Sequence, residues 1–186
     1  MKRLLLVVVC GLSLLVPSMS QAYSWPGNKW PQGNPTVVPV KIGSSLPSAW
    51  AYYMGQAMGA WNGAGAKFQF MTVTSGSNTI NLRTMWSMNG TLAVTYIYEG
   101  FGHRTTSERD IDINAIYSWD INGDANKYDA WSIVTHELGH WLTLGDLYNS
   151  GDYWKTMYGR GAPGLTYQRS LDPDDIAGIR AIYGSR

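Results

Sequence analysis

The sequence has little cysteine, little charge and few histidines. Its 186 residues include one Cys, and Lys, Arg, Asp and Glu together make up 15% of the chain. Soluble domains usually carry about 25% charged residues, but the 45% hydrophobic content excludes the profile of a disordered chain. The formal net charge of +1 and the lack of a polybasic run argue against a nucleic-acid or membrane-surface partner. The length fits a single domain.

The N-terminal segment has the pattern of a signal peptide. Lys2 and Arg3 precede an apolar run that is shorter than the roughly 20 residues of a membrane span, and a small-residue cleavage pattern ends at Ala22. The sequence therefore predicts a signal peptide over 1–22 and a secreted, extracellular protein, with the periplasm or a retained anchoring helix as alternatives. Cys10 lies inside this segment, so the predicted mature chain has no thiol for a disulfide or a zinc site.

The remaining chain predicts an extended leader, 23–35, followed by one α+β domain, 36–186. The leader is rich in Pro, Gly, Asn and Trp. Pro39 favours an edge position for the first strand, because proline cannot donate to a ladder. The predicted strands are 36–42, 67–73, 78–83, 91–98 and 109–115. Three helices are predicted: the first opens at Pro47, the second spans 129–143, and the third follows a cap at Ser170 or Asp172.

The nine Trp and twelve Tyr residues have two explanations. Trp50, Trp61 and Trp131 fall at helical spacing, which indicates core packing. Aromatic side chains can also bind polysaccharide or cell-wall surfaces, and this alternative describes a binding module rather than an enzyme.

Residues 136–140 read HELGH within a predicted helix. The spacing places His136 and His140 on one face, where both imidazoles can reach one zinc ion at about 2.0–2.1 Å. Glu137 can then reach a metal-bound water and serve as the general base for attack on a carbonyl. Two of the three histidines of the chain fall at this spacing around a glutamate, which argues against a chance match.

The third zinc ligand has several candidates. A catalytic zinc keeps three protein ligands, and no Glu follows Glu137, so a glutamate from a later helix is excluded. Asp146 lies six residues beyond His140, directly after a glycine where a helix would end, and it is the favoured candidate. Asp152 and His103 are the alternatives. A plain turn at the C-terminal end of the helix would explain Asp146 without a metal.

The segment HELGHWLTLGD resembles the metzincin zinc signature HExxHxxGxxH, with Asp146 in the third-ligand position as in snapalysin-type proteases. Met157, within the sequence TMYG, resembles the methionine of the metzincin Met-turn, which lies beneath the zinc without binding it. Thr143 departs from the pattern, which has Gly there. A positive φ at Thr143 would cost roughly 1–3 kcal/mol, unless Gly145 takes the turn.

Further segments resemble matrixin catalytic domains and extend the likeness over most of 36–184. The resemblance implies a metzincin-like twisted, mixed five-stranded sheet with an active-site helix and a C-terminal helix. It also implies a catalytic zinc, a substrate along an antiparallel edge strand at 91–98, and a pocket lined by 159–166 for the side chain after the cut. Structural calcium is a further family property. The loop that offers oxygen ligands for it lacks the later Glu of an EF-hand and is better explained as a plain turn; its candidate ligands are Asp120, Asn122 and Asp124.

The leading hypothesis is a secreted zinc-dependent endopeptidase that hydrolyses peptide bonds by Glu-assisted attack of a zinc-bound water. Its expected zinc ligands are His136, His140 and Asp146, and its catalytic residue is Glu137. The alternatives are a zinc-binding pseudo-protease and a secreted glycan or cell-surface binding module. We expect a monomer with a protein or peptide substrate, no nucleic-acid partner and no membrane association after signal cleavage.

Overall fold

Five strands form one mixed sheet in the computed structural model, which describes residues 29–99 and 106–186. The predicted signal peptide, residues 23–28 of the predicted leader and His103 lie outside these ranges. Neighbouring strands follow the order β2-β1-β3-β5-β4. All pairs are parallel except β4 with β5, so the antiparallel strand β4 lies at an edge. The sheet strands are β1 (Thr36–Ile42), β2 (Phe68–Val73), β3 (Thr79–Arg83), β4 (Ala93–Glu99) and β5 (Thr106–Asn114).

Three α-helices pack with this sheet into a mixed α/β fold, which agrees with the predicted architecture. They are α1 (Trp50–Asn62), α2 (Ala130–Trp141) and α3 (Pro173–Tyr183). Two short parallel strands, β6 (Trp119–Asp120) and β7 (Tyr128–Asp129), precede α2, and 3-10 turns occupy Ser150–Asp152 and Tyr167–Arg169. Within the described part of the chain, no helix is long and apolar enough to cross a bilayer.

The prediction of an edge position for β1 is wrong. β1 lies between β2 and β3, and Pro39 is in register with Met71 of β2. The pairing of β1 with β3 covers only Lys41 and Ile42, so no ladder bond is needed on the β3 side of Pro39. The side-chain amide of Asn78 donates to the Pro39 carbonyl at 2.9 Å and satisfies the acceptor there. Proline is therefore tolerated in an inner strand where the neighbouring strand has not yet begun.

The core lies between the sheet and the helices, and it absorbs much of the aromatic content. Trp50 and Trp61 of α1 are buried, and Trp131 of α2 packs against the same cluster, as the helical spacing predicts. Ile111 and Ile113 of β5 are fully buried on the face that their alternation with aspartate indicates.

The start of α1 differs in detail from its prediction, and the start of α3 confirms one of its two predicted caps. α1 begins at Trp50, three residues after Pro47, whose carbonyl accepts the Trp50 amide at 2.9 Å. Of the two candidate caps for α3, Asp172 fills the position. Its carboxylate accepts the Asp174 amide, and Asp175 completes a capping box.

Candidate active site

The helix α2 carries the HELGH segment and is fixed near both ends by charged side chains. Asp129 caps its N-terminus, accepts the Ser132 amide at 2.7 Å and is paired with the Arg169 guanidinium at 2.5 Å. At the other end, Nη1 of the buried Arg109 donates to the His140 carbonyl at 2.5 Å. These contacts fix the position of the helix that carries the two histidines.

The two histidines of α2 are oriented by backbone carbonyls. Nδ1 of His136 lies 2.8 Å from the Thr156 carbonyl, and Nδ1 of His140 lies 2.8 Å from the Leu144 carbonyl. A carbonyl can only accept, so both Nδ1 atoms carry a proton, and in the neutral rings each Nε2 presents a lone pair. Metal-binding imidazoles are commonly held in this way, with the ring N–H donated to a carbonyl and the other nitrogen free for the metal.

Asp146 meets both imidazoles at one point. Its Oδ1 lies 3.1 Å from Nε2 of His136 and 3.4 Å from Nε2 of His140. Two ligands at about 2.0–2.1 Å from a tetrahedral ion lie about 3.3 Å apart, so these separations fit one zinc ion. The donor set of two nitrogens and one carboxylate oxygen also suits zinc.

Of the alternative third ligands, Asp152 lies elsewhere. Its buried carboxylate is paired with Lys155 at 2.9 Å and also accepts from Asn149. His103, the other alternative, lies outside the described residues.

The electrostatics of the site favour a cation between the three side chains. Burial disfavours a charged His140, but its hydrogen bond to Asp146 and the charge of Glu137 outweigh this and raise the pKa of His140 to about 9. Burial also opposes ionisation of Asp146, yet the hydrogen bonds from both imidazoles hold the pKa of Asp146 well below its usual range. Positive charge is therefore stabilised at the point where a metal ion would lie.

Thr143 makes the turn that follows α2, with a φ of 71°. It is the single non-glycine residue with positive φ in 29–99 and 106–186, and Gly145 is not in that region of backbone space. Of the two alternatives, Thr143 adopts the positive φ, and Gly145 does not take the turn in its place. The turn brings the Leu144 carbonyl onto His140 and directs Asp146 back towards the histidines.

Met157 lies in the core directly against α2. It is fully buried, and a Cβ added at Gly139 would collide with its Sδ. The glycine inside HELGH thus leaves room for the close approach of this methionine. The neighbouring Thr156 carbonyl holds His136, so the Met157 turn also supports a candidate ligand.

A cleft of about 950 Å³ runs between the edge strand β4 and the helix α2. His136, Glu137 and His140 lie on its wall. Of the predicted pocket loop, only the first three residues line the cleft; residues 162–166 do not. Further lining residues include Tyr117, Tyr128, Ile133, Gly159, Arg160 and Gly161.

Comparison with known proteins identifies the family. The matrixin family model, a peptidase family, matches residues 45–184 of this chain. The chain belongs to the matrixin family.

A curated relative agrees with this assignment. Metalloendoproteinase 1 of Glycine max is 39% identical over 72 residues, which cover 36% of this chain and 22% of that protein. This chain therefore matches about a fifth of the length of that relative. In a matrixin, the grouped His136, Glu137 and His140 side chains fit the catalytic zinc site.

Sequence reasoning missed two supporting residues of this matrixin site. Gln168 is buried, and its amide donates to the carbonyls of Thr156 and Tyr158 at 3.0 and 2.8 Å, which fixes the segment that orients His136. Arg109 supports the carbonyl of His140, as described above. Neither residue belongs to a local motif. The one signal for Arg109 is its place in the strand RDIDIN, where it shares a face with the buried Ile111 and Ile113.

The candidate calcium loop forms the turn that the sequence favours. Oδ2 of Asp120 accepts the backbone amides of Asn122 and Asp124 at 3.0 and 3.1 Å. This is the pattern of an aspartate that closes its own turn.

Proposed function

We propose that this matrixin is a secreted zinc endopeptidase that cleaves protein or peptide substrates. The observation that carries the proposal is the convergence of two carbonyl-oriented imidazoles and the Asp146 carboxylate on one point beside Glu137. His136, His140 and Asp146 would hold the metal. A zinc ion held there would supply a lowered pKa for water and a polarising charge for the substrate carbonyl.

Glu137 serves as the general base of the proposed reaction. Its side chain is buried but lines the cleft, so it can exchange protons with a substrate there and with little else. It accepts the proton of the attacking water and passes it to the leaving amine. A buried carboxylate flanked by two metal-binding histidines is suited to both steps.

The edge strand β4 would bind the substrate backbone. Ala93, Val94 and Thr95 line the cleft, and an edge strand offers unpaired N–H and C=O groups to an extended peptide. The side chain after the cut would enter the part of the cleft between Ile133 and the segment Gly159–Gly161. The strand therefore supplies affinity for any peptide backbone, and the pocket supplies a preference for particular side chains after the cut.

Secretion rests on the predicted signal peptide over 1–22. A monomer without a nucleic-acid or membrane partner is proposed on the near-neutral charge and the single domain. These parts of the proposal are independent of the chemistry and can fail without affecting it.

The proposal is tested by comparing the wild-type protein with Glu137→Ala. Both proteins are expected to carry about one zinc, because Glu137 is not a ligand. The variant should lose casein cleavage by at least about 10²-fold, the usual contribution of a general base. Equal cleavage by the two proteins would contradict the enzyme assignment.

The same preparations separate the two alternatives. Zinc binding by the wild type without cleavage of a broad peptide library would indicate a pseudo-protease. Retention on insoluble glycan after removal of zinc would favour a binding module that uses exposed aromatics such as Trp86 and Trp154.

A further inference from the structure

A hydroxyl group on the edge strand contacts the proposed general base. Oγ1 of Thr95 donates to Oε2 of Glu137 at 2.6 Å. The same oxygen lies 3.3 Å from the Glu137 backbone carbonyl, so the hydroxyl sits directly over this residue of α2. A hydroxyl has one proton to donate, and the shorter contact assigns it to the carboxylate.

Thr95 is placed there by the register of the sheet. It lies in β4 opposite Ile111, a buried residue of β5. Alternate side chains of a strand share a face, so the Thr95 side chain points to the side of the sheet where Ile111 meets the core under α2. A shift of one residue in the pairing would turn the hydroxyl away from Glu137.

The hydrogen bond has a defined consequence for the base. A glutamate side chain has three rotatable bonds, and a general base must hold its oxygen within hydrogen-bond reach of the proton that it accepts. A donor on Oε2 fixes the plane of the carboxylate and leaves Oε1 to accept that proton. The donor belongs to β4, the strand that would bind the substrate backbone. The same strand would therefore position both the substrate and the carboxylate of the base.

We propose that Thr95 is a positioning residue that orients the Glu137 carboxylate for proton transfer. This inference rests on the proposed function, since it assumes that Glu137 is the base. It assigns no direct contact with the reacting atoms to Thr95, and it concerns the orientation of the carboxylate rather than metal binding.

Kinetics of three threonine variants provide the first test. Thr95→Val keeps the shape of the side chain and removes the donor, and Thr95→Ser restores the donor. Thr72→Val makes the same chemical change at an exposed position of β2, at the opposite edge of the sheet. We expect kcat to fall at least about tenfold in Thr95→Val with KM and zinc content unchanged, as for loss of a hydrogen bond to a charged group.

The other two variants should keep most of their activity. Thr95→Ser is expected to recover kcat to within about threefold of the wild type, since a hydroxyl is again present. Thr72→Val should match the wild type. An unchanged kcat in Thr95→Val, or a serine variant as slow as the valine variant, would overturn the inference while the proposed function stands. Absence of cleavage by the wild type would overturn both.

A second measurement reads the hydrogen bond without turnover. The chain has only three glutamates, Glu99, Glu108 and Glu137, so protein labelled with ¹³C at the glutamate carboxyls gives three signals. Glu137→Gln identifies the signal of the base by its disappearance. In the zinc-loaded protein at fixed pH, Thr95→Val should move that signal, Thr95→Ser should return it, and Thr72→Val should leave it in place. A signal that does not respond to Thr95→Val would show that the hydrogen bond is not made.

Discussion

At the scale of single residues, Thr143 is the clearest departure from an unstrained backbone. Its φ of 71° is unfavourable for a β-branched residue, and its side chain is buried with Oγ1 bonded to the Leu142 carbonyl at 2.5 Å. The position is the one at which the metzincin signature has glycine. The chain therefore keeps the turn of the signature without the residue that makes it easy.

This strain predicts an unusual result for Thr143→Gly. At an ordinary buried site, removal of the threonine side chain would destabilise the fold, by roughly 2 kcal/mol or more. Here relief of strain of roughly 1–2 kcal/mol offsets that loss, and the free energy of unfolding should change by less than about 1 kcal/mol. Thr143→Val, which keeps the branching and removes the hydroxyl, should be less stable than Thr143→Gly. Urea unfolding of the zinc-loaded proteins measures both, and the reverse order would contradict the argument.

Among the elements, the segment before the domain is joined to the active-site helix. Nε1 of Trp30 donates to the Trp141 carbonyl at 2.8 Å, and the Arg109 guanidinium lies 5.4 Å from the centre of the Trp30 ring. The leader was predicted only as an extended segment from its composition. Trp30 of this leader instead belongs to the core, because its buried indole finds a backbone acceptor at the end of α2, whereas residues 31–35 are exposed.

Lys155 connects the loop after α2 to the C-terminal helix. It contacts Asp152 at 2.9 Å and Asp174 at 2.6 Å. Burial opposes the charge of Lys155, but these hydrogen bonds outweigh it and raise the pKa of Lys155. The hydrogen bond from Lys155 in turn lowers the pKa of Asp152 below its ordinary value of 3.8, against the effect of burial.

The two shifts define the pH range in which this cluster stabilises the fold. The lowered pKa of Asp152 gives a contribution that is present above about pH 4 and lost as the pH falls. The raised pKa of Lys155 gives one that is lost only as the pH rises above its ordinary value of 10.5. At neutral pH, Lys155→Met should therefore lower the free energy of unfolding by about 2–4 kcal/mol, because Asp152 is left buried and charged.

Urea unfolding at neutral and acidic pH checks this expectation, with zinc removed from all proteins so that metal loss does not enter. The difference in the free energy of unfolding between Lys155→Met and the wild type should narrow as the pH falls below about 4, because the contribution of the lowered Asp152 pKa is progressively lost over that range. Lys127→Met removes an exposed lysine that is 3.8 Å from Asp124, and it should change stability by less than about 1 kcal/mol at every pH. If the free energy of unfolding of Lys155→Met stays below that of the wild type by the same amount at every pH, the loss of the ion pair is excluded as the cause.

At the scale of the whole molecule, local patterns predicted most elements, and tertiary contacts decided the rest. Period-two and helical spacing placed five strands and three helices within a few residues of their observed bounds. The position of β1 could not be derived, because the tolerance of Pro39 depends on where β3 begins. Arg109 contacts a residue of α2 that is 31 positions away, and Thr95 contacts one that is 42 positions away. No local sequence pattern predicts contacts over such separations.

The proposed chemistry depends most on a single zinc held by His136, His140 and Asp146. X-ray absorption at the zinc edge of the purified protein tests this directly, because imidazole rings give a countable multiple-scattering signal. The chain has three histidines, so the number of bound rings distinguishes Asp146 from His103 as the third protein ligand. We predict two imidazoles and oxygen ligands at about 2.0–2.2 Å. Three imidazoles, or one, would contradict the site described for this matrixin.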